Sequence, residues 1–175
     1  MRNWISLFIF FNVVWFCYAQ DSINADGLNI FYYQNGIKSS EGLLVDGKPE
    51  GWWKSYSDKG ILISEGNRKN FLLDSLWVFY NEKGIKTLEI NYKEGKKNGQ
   101  RIQYFENEFI VENWKMDTLY GTVNTFFADG KIKKSTPYLE GKPHGLEKEY
   151  AHDGVVISVT NFYRGVMTRK EFINR

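Results

Sequence analysis

Cysteine and histidine are scarce in this sequence, and their scarcity excludes several kinds of chemistry. Cys17 is the only cysteine and lies in an N-terminal segment that we expect to be removed, which excludes disulfides, thiolate catalysis and cysteine-based metal sites. The two histidines, His144 and His152, stand where other parts of the chain carry ordinary polar residues. Zinc needs three or four ligands in close geometry, which two such histidines do not supply. We therefore predict no catalytic residues, no metal site and no cofactor.

The chain also has little proline and little excess charge. It contains 3 prolines, and its 23 basic and 21 acidic residues give a formal charge of +2. This balance argues against a nucleic-acid partner, because binding to phosphate backbones favours a basic surface. Aromatic residues make up 17% of the chain, which argues against disorder, and 16 glycines indicate many tight turns. These features predict a folded, turn-rich protein.

Residues 1–19 have the pattern of a secretory signal. Arg2 is the only charged residue of this segment, an apolar run follows at 4–18, and the small residues Cys17 and Ala19 precede a cleavage point. The run is 15 residues long, shorter than the roughly 20 that a helix needs to cross a bilayer. We predict cleavage after Ala19 and export to the periplasm, the cell surface or the medium, with an uncleaved membrane anchor as the alternative.

The rest of the chain, residues 27–175, is a series of six repeats of about 24 residues. The rows begin at Gly27, Gly51, Ser75, Gly99, Gly121 and Gly145. The sixth position of every row is aromatic: Tyr32, Tyr56, Tyr80, Tyr104, Phe126 and Tyr150. A turn position holds Gly36, Gly60, Gly84, Glu108, Gly130 and Gly154. A later position holds the mostly large residues Leu44, Arg68, Tyr92, Trp114, Tyr138 and Phe162.

Each row predicts one β-hairpin. In the third row, the aromatic and branched segment 76–80 has the composition of a strand, residues 81–84 end in the glycine that a tight turn favours, and residues 85–93 form a second strand. No segment has the sustained 3.6-residue periodicity of a helix. We predict an all-β fold, a single-layer antiparallel β-meander of six stacked hairpins with about twelve strands. The fourth row has 22 residues and lacks the turn glycine, so we expect irregular geometry around 106–114.

The aromatic column is expected to hold neighbouring hairpins together. Strand spacing would place its rings about 9.6 Å apart, with the large residues of the intervening strands filling the gaps. We therefore assign four tyrosines to structure: Tyr56, Tyr80, Tyr104 and Tyr150. The alternate face of the first strands reads Trp53, Trp77, Arg101, Val123 and Glu147. A drift toward polar residues is expected there, because a soluble sheet does not keep both faces apolar.

The row motif resembles a known repeat family. Residues 51–56, with the sequence Gly-Trp-Trp-Lys-Ser-Tyr and followed by Gly60, are similar to the variant MORN repeat, and residues 145–150 with Gly154 are a second copy. Arrays of this MORN-like kind are grouped with the YwqK-like antitoxin family. The resemblance covers residues 27–170 and implies a single-layer β-meander that binds other proteins, without catalytic residues.

Aromatic residues of the second and third rows are the best candidates for a binding site. They are Trp52, Trp53, Trp77 and Phe79, with Arg101 on the same side as Trp53 and Trp77. Tryptophan and arginine are the residue types that most often dominate the energy of an interface. The structural alternative is that these side chains only hold neighbouring hairpins together.

Two charged segments are further candidate sites. Asp58, Glu82 and Glu106 form a column of turn carboxylates whose spacing lies near the upper end of the roughly 6.5–9.5 Å of inverting glycosidases. Turn tips are wet, however, whereas a catalytic acid needs an apolar pocket. The basic stretch 164–175 is expected to be a solvated last strand that protects the sheet edge, with contact to an anionic partner or membrane as the alternative.

These features predict an exported, non-enzymatic interaction or scaffold module that binds a protein or a cell-envelope polymer. The first alternative is an antitoxin or immunity protein that neutralises a toxin by direct binding. The second is an enzyme that hydrolyses glycans, which would depend on Asp58 or Glu82. An open meander has two free edges, so its oligomeric state is left open.

Overall fold

The computed structural model describes residues 24–173, so the predicted signal segment, residues 1–19, lies outside the described residues. Between these limits the chain forms fourteen strands: β1 (Gly27–Tyr32), β2 (Lys38–Val45), β3 (Lys48–Tyr56), β4 (Leu62–Lys69), β5 (Leu72–Tyr80), β6 (Lys86–Lys93), β7 (Lys96–Tyr104), β8 (Glu108–Lys115), β9 (Thr118–Phe127), β10 (Ile132–Leu139), β11 (Lys142–Pro143), β12 (Gly145–Tyr150), β13 (Val156–Tyr163) and β14 (Val166–Phe172). This part of the chain contains no helix, and hence none that could cross a membrane.

All strands belong to one open antiparallel sheet in which neighbours along the chain pair with each other. The short strand β11 pairs with β10, and β12 continues the path beyond His144. The predicted all-β meander is thus confirmed. Because every pairing is between consecutive segments, short turns are enough to build the whole sheet. Among the described strands, β1 and β14 are the two edges.

The first residue of each row faces the large residue of the same row across the hairpin. The pairs are Gly27 with Leu44, Gly51 with Arg68, Ser75 with Tyr92, Gly99 with Trp114, Gly121 with Tyr138 and Gly145 with Phe162. These large residues therefore lie at the opposite end of the hairpin from the sixth-position aromatic residues. The expectation that they fill the gaps between the tyrosine rings is wrong, because the register places each of them opposite a position with little or no side chain.

A bulge explains why this first position is glycine. Between β4 and β5, Gly66 pairs with Trp77 but Asn67 pairs with Asp74, so Ser75 and Leu76 have no counterpart. The first residues of the second to sixth rows all have positive φ: Gly51 at 67°, Ser75 at 55°, Gly99 at 114°, Gly121 at 72° and Gly145 at 100°. Glycine adopts this conformation readily, whereas Ser75 adopts it against the steric preference of its Cβ atom.

The irregularity of the fourth row affects its turn and the strand pairing next to it. In the other rows the turn closes over five residues, as where Tyr33 N donates to Ile37 O at 2.8 Å. In the fourth row, Phe105 N donates to Glu108 O at 2.9 Å, and the turn is shorter. The other five hairpins have a register shift beside the turn, as between Phe31 and Tyr32, whereas the pairing of β7 with β8 has none. The fourth row therefore also differs from the others in the strand pairing next to its turn.

The two faces of the sheet differ in burial. Side chains alternate along a strand and cross-strand partners share a face, so Trp53 and Trp77 lie on one face, the tryptophan face, and Tyr56 lies on the other, the tyrosine face. The apolar core is on the tryptophan face and consists of Leu44, Trp53, Trp77 and Ile90, against which Phe31, Leu73, Phe79, Leu88 and Tyr92 pack. The core is therefore built by the side chains of one sheet and belongs to its N-terminal half.

Candidate functional site

Trp53 and Trp77, two of the predicted binding residues, lie in the core. Trp53 is 7% exposed and Trp77 is 4% exposed. Each indole covers its cross-strand glycine, which is Gly42 for Trp53 and Gly66 for Trp77. A Cβ atom on Gly42 would lie 2.2 Å from Trp53 Cδ2, and one on Gly66 would lie 2.4 Å from Trp77 Cδ2. The two glycines therefore provide the space that the rings occupy.

The indole N–H groups are bonded within the sheet. Trp53 Nε1 donates to the carbonyl oxygens of Leu43 at 3.1 Å and Glu50 at 3.2 Å, and Trp77 Nε1 donates to that of Asn67 at 2.7 Å. These carbonyl groups flank the bulges, where the ladder of strand hydrogen bonds is interrupted. The geometry matches the structural alternative for these rings, since they hold the hairpins together and leave little surface for a partner.

Phe79 and Arg101 share the tryptophan face but are also engaged. The Phe79 ring lies 6.2 Å from that of Trp77, centroid to centroid. Arg101 donates to Glu112 Oε2 and to Gln103 Oε1, both at 2.8 Å. The guanidinium is thus partly buried in an internal network and has no unpaired charge to offer.

Trp52 is separated from the other predicted residues because it lies on the tyrosine face. It is 48% exposed, and its Nε1 donates to Glu65 Oε2 at 3.2 Å. The second position of the flanking rows holds Leu28 and Leu76, which are exposed on the same face. We call Leu28, Trp52 and Leu76 the outer stripe. The sequence signal for this separation was the alternation of side chains along a strand, which puts Trp52 and Trp53 on opposite faces.

A ladder of tyrosines and glutamates lies on the same face as the outer stripe and contacts it at Glu65. Tyrosine hydroxyls donate to glutamates of the preceding row: Tyr56 to Glu41 at 2.5 Å, Tyr80 to Glu65 at 2.7 Å and Tyr104 to Glu89 at 3.2 Å. The Tyr56 hydroxyl, followed by Lys38 at 3.0 Å, lowers the pKa of the Glu41 carboxyl. The column of tyrosines is thus structural in its contacts, and a carboxylate rather than a stacked ring connects one row to the next.

The C-terminal half of the tryptophan face is polar but internally satisfied. Glu147 is buried, accepts a hydrogen bond from Thr136 at 2.7 Å and pairs with Lys134 at 3.0 Å. Ser158 donates to Glu149 at 2.6 Å, and this bond is the main cause that lowers the pKa of the Glu149 carboxyl. Within the described range, every buried side-chain polar atom has a hydrogen-bond partner. The polar residues that replace the tryptophans in the C-terminal rows are therefore bonded to other side chains of the same face.

The short fourth turn leaves a groove of about 640 Å³ beside the third turn. In earlier rows the turn isoleucine lies next to the glycine of the following turn. A Cβ atom added to Gly60, for example, would lie 3.6 Å from Ile37 Cγ2. The fourth turn lacks that glycine, so Ile85 is exposed and lines the groove with Glu82 and Glu106. Two of the three column carboxylates thus share one open groove.

His144 has the contact that its position in the repeat predicts. Its Nδ1 accepts the main-chain N–H of Arg164 at 3.3 Å, just as Glu50 Oε2 accepts that of Asn70 at 2.9 Å four rows earlier in the array. The hydrogen bond ties one hairpin end to the next, as in a row that carries glutamate. His144 therefore has a structural role at this hairpin end.

His152 is exposed at a turn, with its Nε2 3.1 Å from Asp129 Oδ2. Asp129 also accepts the main-chain N–H of Lys131, the largest of the causes that lower the pKa of its carboxyl. Over residues 24–173, no group of three or more histidine, cysteine, aspartate or glutamate side chains is placed to hold a metal ion.

The repeat is defined by the chain's own sequence and strand register. Compared with protein-family models and with curated proteins, it matches none. The resemblance to variant MORN repeats and to YwqK-like antitoxins therefore stays a prediction from the motif itself.

Proposed function

We propose that the protein is an exported, non-enzymatic interaction module that binds a protein or a cell-envelope polymer through the tyrosine face of its sheet. The outer stripe carries this proposal. Leu28, Trp52 and Leu76 are exposed apolar side chains at the same position of three neighbouring hairpins. Contiguous exposed apolar surface is uncommon on a monomer and marks sites of interaction.

The surroundings of the stripe suit a binding surface. Trp52 is flanked by the ion pair of Lys54 with Glu65 at 3.9 Å, which gives the apolar centre a polar rim. Tyr80 also donates to Glu65 at 2.7 Å, so the carboxylate that orients the Trp52 indole is itself fixed. An aromatic residue held in one orientation loses little conformational entropy on binding.

The test is capture of envelope components by the processed chain, compared between the native protein and a stripe variant. Trp52→Gln with Leu76→Gln removes the apolar groups, and glutamine occurs at this repeat position in the fourth row as Gln100. Leu146→Gln is the matched control, since Leu146 holds the same repeat position in the sixth row and is 54% exposed.

We expect the stripe variant to lose capture by roughly thirtyfold in affinity or more, as for an interface hot spot worth about 2 kcal/mol, while the control binds as the native protein does. Protease treatment of the extract separates a protein partner from a polymer such as peptidoglycan. Equal capture by the native protein and the stripe variant, both folded by circular dichroism, would reject the outer stripe as the binding surface.

A further inference from the structure

Within the described residues, the first edge strand of the sheet lacks the usual protection against pairing. β1 has the sequence Gly-Leu-Asn-Ile-Phe-Tyr, which contains no charge and no proline. On the tyrosine face its Leu28 is 70% exposed and its Ile30 is 42% exposed. Soluble proteins usually blunt edge strands with charges, prolines or bulges, because an open edge offers unpaired main-chain groups to another strand.

The other edge strand is built differently. β14 carries Arg169, Lys170 and Glu171 within seven residues, and all of its side chains are exposed. Arg169 and Glu171 form an ion pair on it. Charges of this kind disfavour strand addition, so the two ends of the meander are not equivalent. A head-to-tail contact of β1 with β14 would have to accommodate these charges.

The chain just before β1 covers only one of its faces. Asn24 N donates to Asn29 Oδ1 at 3.0 Å, and Asn29 Nδ2 donates to Asn24 O at 2.9 Å, so this segment closes over the tryptophan face. Gly47 N donates to Ala25 O at 2.7 Å. The equivalent hydrogen bond in the last row joins Gly165 N to Pro143 O at 2.8 Å. Residues 24–26 thus take the place of a preceding hairpin end, but no described strand pairs with the outer side of β1.

We propose that β1 pairs with β1 of a second copy of this chain, in antiparallel orientation, to give a two-fold dimer with one continuous sheet. Cleavage after Ala19 would leave four residues before Asn24, too few to cover a six-residue strand. Two uncharged strands meet without like-charge repulsion, and Leu28 and Ile30 gain apolar contacts across the two-fold axis. This dimer does not depend on the binding function proposed above.

The test is the mass of the processed chain by light scattering after gel filtration, at concentrations from micromolar to millimolar. A single pair of short strands is a small interface, so we expect a concentration-dependent dimer. Ile30→Lys places a charge at the edge, and the fold should tolerate it because a lysine, Lys54, holds the same position in the second row. Glu41 lies opposite both positions, facing Ile30 on one side and Lys54 on the other. We expect it to weaken the dimer at least tenfold.

The matched control is Leu146→Lys, which adds the same charge at an exposed position of an interior strand and should dimerise like the native chain. Should Ile30→Lys fail to fold by circular dichroism, Leu28→Lys replaces it. As an independent measurement, Ile30→Cys should form a covalent dimer under oxidation, whereas Leu146→Cys should not, because the processed chain has no other cysteine.

Three results would overturn the proposal. The first is a native chain that stays monomeric throughout the concentration range. The second is growth beyond the dimer, which would indicate head-to-tail pairing of β1 with β14. The third is equal weakening by Ile30→Lys and Leu146→Lys, which would assign the contact to the tyrosine face as a whole.

Discussion

Replacing Gly66 by alanine tests the role of the buried tryptophans most directly. Of the 16 glycines in the sequence, only Gly42 and Gly66 lack a positive φ, so the backbone at these two positions would accept any residue. The obstacle is steric, because a Cβ atom on Gly66 would lie 2.4 Å from Cδ2, 2.5 Å from Cγ and 2.7 Å from Cε2 of Trp77. Real Cβ atoms do not approach other heavy atoms this closely, so the ring or the strand must move.

The expected free-energy change combines two opposing effects. Forcing an extra methyl group into a packed core costs about 1–3 kcal/mol. Alanine also restricts the unfolded chain more than glycine does, which returns about 0.4–1 kcal/mol. We therefore expect Gly66→Ala to lower the free energy of unfolding by about 1–2 kcal/mol. In the Trp77→Val background the clash is gone, and the same substitution should stabilise by about 0.5 kcal/mol.

The assay is equilibrium unfolding in urea, followed by far-ultraviolet circular dichroism, for the four members of this double-mutant cycle. Valine occurs at the same repeat position as Val123, so it suits a strand there. Loss of the Trp77 ring costs stability in its own right, and the cycle subtracts that cost. Gly36→Ala is the control, because Gly36 has a φ of 79° and no atom near its Cβ position. Its cost should be the same in both backgrounds. A Gly66→Ala cost that persists without the Trp77 ring would refute the steric explanation.

Three further predictions follow from single residues. Ser75→Gly should raise the free energy of unfolding by about 1 kcal/mol in urea, because Ser75 has a φ of 55° at a position where the other five rows have glycine. Trp53→Ala should cost about 3–5 kcal/mol and Trp52→Ala much less, because only Trp53 is buried; equal costs would contradict the assignment of the two faces. Because the pKa of Glu41 is lowered in the folded state, its contribution to stability is present above its ordinary pKa of 4.5 and is lost as the pH falls through the folded value. The difference in melting temperature between the native protein and Tyr56→Phe should therefore shrink as the pH is lowered below about 4.5, and a difference independent of pH would contradict this linkage.

The strands and their order could be predicted because the information is local. A turn glycine, an aromatic sixth position and a 24-residue period each act within one hairpin, and antiparallel strands pair as soon as a short turn joins them. The same locality explains why the fourth row, which lacks the turn glycine, differs only in its turn and in the strand pairing next to it. The first-position glycines were visible as a column, but their cause, a bulge with positive φ at residues such as Gly51, was not.

The places of the candidate binding residues in the sheet could not be predicted in the same way. The spacing from Gly42 to Trp53 and from Gly66 to Trp77 is identical, so the pairing of a glycine with a tryptophan was present in the sequence as a pattern. Only the strand register shows that each tryptophan ring lies over the glycine 11 residues before it, which makes the ring part of the core.

The sequence by itself determined the meander, the number of its rows and the separation of Trp52 from Trp53 by the alternation of side chains. Only the tertiary structure decided which face is covered, because burial in a one-layer sheet depends on how bulges and neighbouring side chains close over a residue. Trp53 is covered by contacts such as the stacked ring of Phe31, 6.2 Å away, while Trp52 remains exposed. A local pattern fixes which strand follows which, but the side that excludes water is a property of the whole assembled sheet.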